Sequence, residues 1–312
     1  MLQSTRPLVS LIILAAAAAT LTGCAAQTGS DTAATTTAPA GDTGKVQIVA
    51  STNVYGDIAA AVAGDAAEVT SVMSDPSQDP HSFEADAHTQ LAISKADILI
   101  ENGGGYDDFM DTMREAADNA DAVVINAVEL SGKDDGSGEL NEHVWYDFPT
   151  AQKVADAIAA DLAKADPDHQ ADFEQNAKAF SDGIAKLEDR EQEISATADG
   201  AGVAVTEPVP LYLLEACGFE NRTPEEFSEA IEEETDVPPA ALQETLDLFS
   251  KHEVKLLALN AQTTGPESEK VEEAAKSTGI PVVRVTETVP DGEDYLSWMS
   301  ANLDAVAEAL QQ

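Results

Sequence analysis

Strands and helices alternate along residues 45–126, and this alternation limits the possible folds more than any other feature of the chain. Short apolar runs rich in valine and isoleucine predict strands at 45–51, 67–73, 97–103 and 122–127, with helical patterns between them. Strands that alternate with helices form a parallel sheet covered by helices on both faces. This region therefore predicts an α/β lobe.

The alternation stops at a long helical stretch and then resumes, with predicted strands at "VAVT", "VKLLALN" and "VVRVT". Residues 149–198 are helical in pattern, with one break at Pro167. The segment after this break is longer than one small domain needs, which predicts a connection between two lobes. We therefore predict an α/β fold with a parallel-sheet lobe at 45–166, a connecting helix at 167–199 and a second parallel-sheet lobe at 200–312. Each lobe is expected to bury its own core.

The N-terminus has the pattern of a secretory signal. Arg6 precedes an apolar run that is too short to cross a bilayer, and the run ends in "LTGC". The "LTGC" segment resembles the lipobox of bacterial lipoproteins, which implies removal of residues 1–23 and lipid attachment to Cys24. An ordinary signal cleavage, with Cys24 incidental, is the alternative. Residues 24–44 are rich in Thr, Ala and Gly and predict a flexible tether.

The chain is strongly acidic, with 58 Asp and Glu against 16 Lys and Arg and a formal net charge of −42. Such a surface repels nucleic acid and draws cations, although salt-tolerant surfaces have the same composition. Cys217 is the only cysteine besides Cys24, so we expect no intrachain disulfide. Its place in an apolar helical run predicts a buried and inert thiol.

Four potential metal ligands follow predicted strands or lie in the loops beyond them. His81 follows the strand at 67–73, His143 precedes the helix that starts near 149, and Glu207 and Glu287 each directly follow a strand of the second lobe. Ligands of such sheets bind beyond the carboxyl ends of the strands. Imidazole nitrogen and carboxylate oxygen suit Mn²⁺, Fe²⁺ and Zn²⁺. These residues therefore predict a metal site in a cleft between the lobes.

Each of these residues has a simpler interpretation when taken alone. A single loop histidine is usually a surface residue or a hydrogen-bonded residue of the core, and Glu207 could lie in the first turn of its helix and favour the helix dipole. The other three histidines, His88, His169 and His252, are predicted to be surface residues.

Four segments resemble the zinc/manganese family of metal-binding solute-binding proteins of ABC importers. They are "DPHSFEADAHTQLAISKADILIENGGGYDDFM", "NEHVWYDFPTAQKVADAIAADLAKADP", "VTEPVPLYLLEACGFEN" and "VVRVTETVPDGEDYLSWMSANLDAVAEAL". The resemblance implies a rigid bilobal fold with a long connecting helix. It also implies a buried mononuclear metal site between the lobes, made by His81, His143, Glu207 and Glu287, and handover of the metal to a membrane permease.

Two departures from the family pattern bear on the metal. Many zinc-type members have a third histidine where this chain has Glu207, and a His-rich loop where it has "SGKDDGSGEL". Both differences favour Mn²⁺, although the intrinsic affinity of such ligands is higher for Zn²⁺ than for Mn²⁺. Fe²⁺ is a third candidate for the metal. The fourth ligand is commonly aspartate, so Asp291 or Asp294 could replace Glu287.

The resulting prediction is an extracytoplasmic, lipid-anchored monomer that carries Mn²⁺ or Zn²⁺ to the permease subunits of an ABC importer. It contacts the membrane through its lipid and has no nucleic-acid partner. A metallohydrolase is the enzymatic alternative, but catalytic zinc sites keep an open position and no HExxH, GxSxG or P-loop pattern is present. A metal-binding surface adhesin is the other alternative.

Overall fold

The computed structural model describes residues 44–75, 83, 86–134, 140–263 and 265–311. The predicted signal peptide, Cys24, almost the whole tether and His81 lie outside the described residues. Within the described ranges, every helix is too short or too polar to span a bilayer.

The first lobe begins with the elements β1 (Val46–Thr52), α1 (Asn53–Ala63), β2 (Ala67–Met73), α2 (Ala87–Ile93), β3 (Ile98–Glu101), α3 (Phe109–Ala116), β4 (Val123–Asn126) and α4 (Ala127–Ser131). Its four strands form a parallel sheet in the order β2-β1-β3-β4. The strand β3 is buried on both faces, as expected for a strand between two helical layers.

The helix α5 (Phe148–Ala165) completes the first lobe, and α6 (Gln170–Ala198) follows it. The helix α5 begins at Asp147, whose side chain accepts a hydrogen bond from the backbone N–H of Thr150. A single 3-10 turn, Pro167–His169, separates α5 from α6 because proline lacks the amide that would continue the helix. With 29 residues, α6 is about 44 Å long and packs on α1 and α5 on one side and on the second lobe on the other.

The second lobe consists of β5 (Gly202–Val205), α7 (Leu211–Ala216), β6 (Glu220–Asn221), α8 (Glu225–Glu232), α9 (Pro239–Ser250), β7 (Leu257–Asn260), α10 (Pro266–Thr278), β8 (Val282–Val285) and α11 (Tyr295–Ala309). Its four strands are parallel and lie in the order β6-β5-β7-β8, which repeats the strand order of the first lobe. The strand β6 has only two residues, too few to show an apolar pattern in the sequence.

The prediction that each lobe has a separate core is wrong for the largest apolar cluster. This cluster runs from Ile48 in β1 to Val205 in β5 and Trp298 in α11. The rings of Phe180 on α6 and Tyr295 on α11 lie 5.7 Å apart between their centroids. Smaller clusters are confined to one lobe each. Residues 44–312 therefore form one compact unit, because α6 and α11 bury apolar side chains against the first lobe.

Cys217 is fully buried and unbonded to another cysteine, as predicted. Burial, and then the nearby charge of Glu191, raises the pKa of its thiol to about 12. A thiol with this pKa stays protonated and unreactive at neutral pH.

Glu191 on α6 is itself buried, and we expect it to destabilise the protein at alkaline pH. Burial, followed by the charges of Glu188 and Asp147, raises the pKa of its carboxyl group to about 8. In the unfolded chain this group ionises near the ordinary glutamate pKa of 4.5. Unfolding therefore releases a proton between these two values, and the free energy of unfolding falls as the pH rises through this window.

The variant Glu191→Gln should consequently have a higher free energy of unfolding than the parent at pH 8.5, by about 1 kcal/mol or more. The gain should disappear at about pH 3.5, about one unit below the ordinary pKa of 4.5, because both states of the parent then carry the proton. Denaturant unfolding at the two pH values measures this difference. Asp189→Asn, at an exposed site on the same helix, is the matched control. An equal pH response in the two variants would contradict the assignment.

Candidate metal centre

Glu207 and Glu287 are both buried at the carboxyl ends of strands of the second lobe. Glu207 follows β5 and is 2% exposed, and Glu287 follows β8 and is 0% exposed. The helix α7 begins only at Leu211 and has no acidic residue in its first turn. The helix-dipole interpretation of Glu207 is therefore wrong, because its carboxylate is too far from the start of the helix.

A single amide holds the two carboxylates together. Nδ2 of Asn260, the last residue of β7, donates to Oε2 of Glu207 and to Oε1 of Glu287, each at 2.8 Å. Asn260 lies in the strand next to both β5 and β8, which places its side chain between the two. Two buried carboxylates that share one hydrogen-bond donor lie close together, and they repel each other unless a donor or a cation lies between them.

The first lobe closes over this pair through two tyrosines. The hydroxyl of Tyr106 donates to Oε2 of Glu287 at 3.0 Å, and the hydroxyl of Tyr146 donates to the backbone carbonyl of Thr286 at 2.7 Å. Both rings are buried. The carboxylates are thus at the interface between the lobes, where the sequence predicts the cleft.

His143 comes from the loop that precedes α5 and is 1% exposed. Oδ1 of Asn141 accepts from the backbone N–H of His143 at 3.1 Å, so this atom is an acceptor. The Nδ1 of the ring lies 2.8 Å from the same oxygen and must therefore carry the proton. In the neutral ring Nε2 then holds the lone pair that a metal would use, an arrangement typical of ligand histidines.

Asn141 also ties this histidine loop to the second lobe. The Nδ2 of Asn141 donates to the backbone carbonyl of Pro208 at 3.0 Å, and the hydroxyl of Tyr212 donates to the backbone carbonyl of Asn141 at 2.8 Å. Pro208 directly follows Glu207. The loop that positions His143 and the loop that positions Glu207 are therefore hydrogen-bonded to each other.

A further carboxylate approaches His143 from α8. Oε1 of Glu232 lies 3.5 Å from Nε2 of the histidine. Burial, and then the negative charges of Glu142, Glu207 and Glu287, raises the pKa of Glu232 to about 9. These neighbours show that several acidic groups crowd into one small volume, which is the electrostatic condition that favours a bound cation.

A cavity of about 470 Å³ lies against this site. No described basic side chain lines this cavity, and the charged residues that line it are all glutamates. These glutamates are Glu142, Glu225, Glu229, Glu232 and Glu233. Clefts lined by one sign of charge raise the local concentration of the opposite ion. The cavity is therefore suited to admit cations toward His143.

The structure brings three of the four predicted ligands to one interface, and the fourth, His81, lies outside the described residues. Among the described ranges, no group of three or more His, Cys, Asp or Glu side chains is arranged so that it could hold a metal ion. Of the alternatives to Glu287, Asp291 is exposed, and Asp294 accepts a hydrogen bond from the backbone N–H of Ser297 at the start of α11.

The remaining histidines are exposed, as predicted: His88, His169 and His252.

Three residues of this site were not found from the sequence. Asn260 ends a strand, so the rule that identified Glu207 and Glu287 applies to it as well, but an asparagine is not an obvious metal ligand. Tyr106 lies in a loop after β3 with no distinctive pattern. Glu232 is one of several glutamates on α8, and nothing in its sequence context distinguishes it.

Two lobes with parallel sheets of the same order, a long helix between them and a buried His–carboxylate site at their interface define a bilobal binding protein. The family model described as "Zinc-uptake complex component A periplasmic" matches residues 48–309. The chain therefore belongs to this family.

Curated relatives agree with this assignment. The chain is 25% identical to the manganese ABC transporter substrate-binding lipoprotein scaA of Streptococcus gordonii, with 96% of this chain and 97% of the relative covered. It is also 25% identical to the manganese-binding lipoprotein MntA of Halalkalibacterium halodurans, with 86% and 89% covered.

Solved structures show the same fold. The periplasmic zinc-binding protein TroA of Treponema pallidum has a TM-score of 0.71 at 19% identity, with 85% of this chain and 99% of that one covered. A manganese-bound variant of the periplasmic metal-binding protein of Candidatus Liberibacter asiaticus has a TM-score of 0.69 at 19% identity, with 85% and 99% covered.

These matches confirm the family resemblance and the two-lobed fold predicted from the sequence. The protein is a substrate-binding component of a metal ABC importer and not an enzyme. Components of this kind work with the permease and ATPase subunits of the importer.

Proposed function

We propose that this protein captures one Mn²⁺ or Zn²⁺ ion outside the cytoplasm and delivers it to the permease subunits of its importer. The observation that supports the proposal is the burial of His143 and of the pair Glu207 and Glu287 at the interface between the lobes, where Asn260 hydrogen-bonds both carboxylates. The predicted His81 completes the ligand set. A bound cation would draw these side chains together and offset the repulsion between the two carboxylates.

The ligand types favour a metal that accepts oxygen. Two imidazoles with two carboxylates suit Mn²⁺ better than a set of three histidines does, although the intrinsic affinity order still places Zn²⁺ above Mn²⁺. The curated relatives described above carry manganese in their names, which supports the same preference. The acidic cavity beside His143 would raise the local cation concentration and speed capture.

We further propose that the mature protein is a lipid-anchored monomer. Residues 1–23 are the removed signal, Cys24 carries the lipid and residues 24–44 form the tether. The body then comprises the lobe at 45–166, the connecting helix at 167–199 and the lobe at 200–312. The lipoprotein names of the relatives support the anchor.

The proposal predicts that each protein molecule binds one metal ion and that Glu287 is a ligand. Titration of the purified body, residues 44–312, with Mn²⁺ and with Zn²⁺ should give one site per molecule. The variant Glu287→Ala should bind Mn²⁺ at least tenfold more weakly, a loss of about 1.4 kcal/mol, because it removes a buried ligand.

Asp291→Ala is the matched control and should bind like the parent, since Asp291 is exposed. If Asp291→Ala lost affinity while Glu287→Ala did not, the fourth ligand would be assigned to the wrong residue. Absence of any saturable binding of either metal would contradict the proposed function itself.

A further inference from the structure

Glu232 is the last residue of α8, and its distance from His143 is not that of an ordinary hydrogen bond. Oε1 of Glu232 and Nε2 of His143 are 3.5 Å apart. Hydrogen bonds between nitrogen and oxygen span about 2.7–3.2 Å. Two atoms that each bind one metal at about 2.1 Å are roughly 3.0–3.5 Å apart in octahedral or tetrahedral geometry. The observed separation fits two ligands of one metal ion, and it is also that of an ion pair between the two side chains.

The same oxygen is buried without a hydrogen-bond donor. Oε1 of Glu232 accepts no hydrogen bond from any described residue, although its side chain is only 14% exposed. Leaving a buried acceptor without a partner costs free energy, so such atoms call for a specific explanation. A metal ion bound to Nε2 of His143 would supply the missing partner.

The position of Glu232 in the cavity agrees with this role. Its side chain contributes to the wall of the acidic cavity and also faces the histidine of the metal site. It comes from a helix and not from the end of a strand, so it reaches the metal position from a different direction than Glu207 and Glu287.

We propose that Glu232 is an additional oxygen ligand of the transported metal. This inference rests on the proposed function, because it needs the metal to be bound through His143. A further carboxylate raises the number of ligands above the four of a tetrahedral zinc site. A set with more oxygen ligands and a higher coordination number favours Mn²⁺ over Zn²⁺. Glu232 would then be a residue that determines metal specificity.

The test compares Glu232→Gln and Glu232→Ala with Glu233→Gln. Glu233 is the neighbouring residue, lines the same cavity and is exposed, so its variant alters the acidic cavity wall without removing the proposed ligand. We expect both Glu232 variants to bind Mn²⁺ at least tenfold more weakly and to lose less affinity for Zn²⁺. Glu233→Gln reports the general effect of one cavity glutamate, so it should weaken Mn²⁺ and Zn²⁺ binding to the same small extent, far less than the Glu232 variants weaken Mn²⁺ binding.

Visible absorption of the Co²⁺-loaded protein gives a second readout that overall charge does not affect. Loss of one ligand lowers the coordination number, so the absorption of bound Co²⁺ should strengthen in the Glu232 variants and stay unchanged in Glu233→Gln. If the Glu232 and Glu233 variants gave the same affinities and spectra, the proposal would be overturned. Equal losses of affinity with unchanged spectra would also overturn it, because they would indicate a general electrostatic effect.

His143→Ala separates this inference from the proposed function. If His143→Ala loses the metal while the Glu232 variants behave like the parent, only the role of Glu232 fails. If His143→Ala binds the metal like the parent, the site itself is misplaced and both proposals fail.

Discussion

Replacement of His143 by alanine should lower the affinity for Mn²⁺ and for Zn²⁺ at least tenfold, which corresponds to about 1.4 kcal/mol or more. The variant removes Nε2, the atom that the hydrogen bond from Nδ1 to Asn141 orients for binding. No other described histidine is positioned to replace it, because His88, His169 and His252 are exposed and none of them lines the cavity. Competition with a chelating indicator of known affinity measures the loss.

His169→Ala is the matched control, because this histidine is half exposed and contacts Asp166 on the surface. The alanine at position 143 also leaves space beside Trp145, whose ring centroid is 5.0 Å from that of the histidine. Thermal unfolding without metal therefore has to show that the variant is folded. A folded His143→Ala protein with the affinity of the parent would contradict the site.

The second large effect is stabilisation by the metal. A ligand that binds only the folded state adds about 4 kcal/mol to the free energy of unfolding at a thousand times its dissociation constant. Mn²⁺ or Zn²⁺ at such an excess should therefore raise the melting temperature by several degrees. Mg²⁺ at the same concentration is the control for general screening of the acidic surface, and an equal rise with Mg²⁺ would contradict a specific site.

Stabilisation by Mn²⁺ at a fixed concentration should shrink as the pH falls from 7 to 5. Imidazole must be neutral to bind a metal, and free imidazole takes up a proton near pH 6.5. With His143 and the predicted His81 both in the site, the affinity should fall by up to about a hundredfold per pH unit once both would be protonated. A metal-induced shift of equal size at pH 7 and pH 5, measured below saturation, would mean that histidine does not coordinate the metal.

The apolar core that both lobes share affects whether the variants of His143 and Glu287 fold. Separate cores in the two lobes would have made the site independent of the fold, but the largest apolar cluster spans both lobes. His143 packs beside Trp145, and Glu287 accepts a hydrogen bond from Tyr106; both aromatic residues belong to this cluster. The melting temperature of each variant without metal therefore has to show that the two lobes still pack together.

Local pattern was sufficient to predict most of the fold. Seven of the eight strands follow from short apolar runs, and the break at Pro167 locates the start of the connecting helix. The rule that ligands bind beyond strand ends selected Glu207 and Glu287, because parallel strands bring their carboxyl ends to one edge of a sheet. Each of these features depends on residues that are close together in the chain, so it can be predicted from one sequence.

Only the tertiary structure decided what surrounds these residues. Asn260 between Glu207 and Glu287, Tyr106 on Glu287, and Glu232 opposite His143 join residues between 27 and 181 positions apart in the chain. The hydrophobic periodicity of a sequence does not predict contacts between residues so far apart in the chain. These contacts depend on how α6 and α11 pack one lobe against the other. The sequence by itself determined two α/β lobes and the chemical types of the ligands. The packing between the lobes determined which side chains meet, because a contact between distant residues exists only once both lobes share a core.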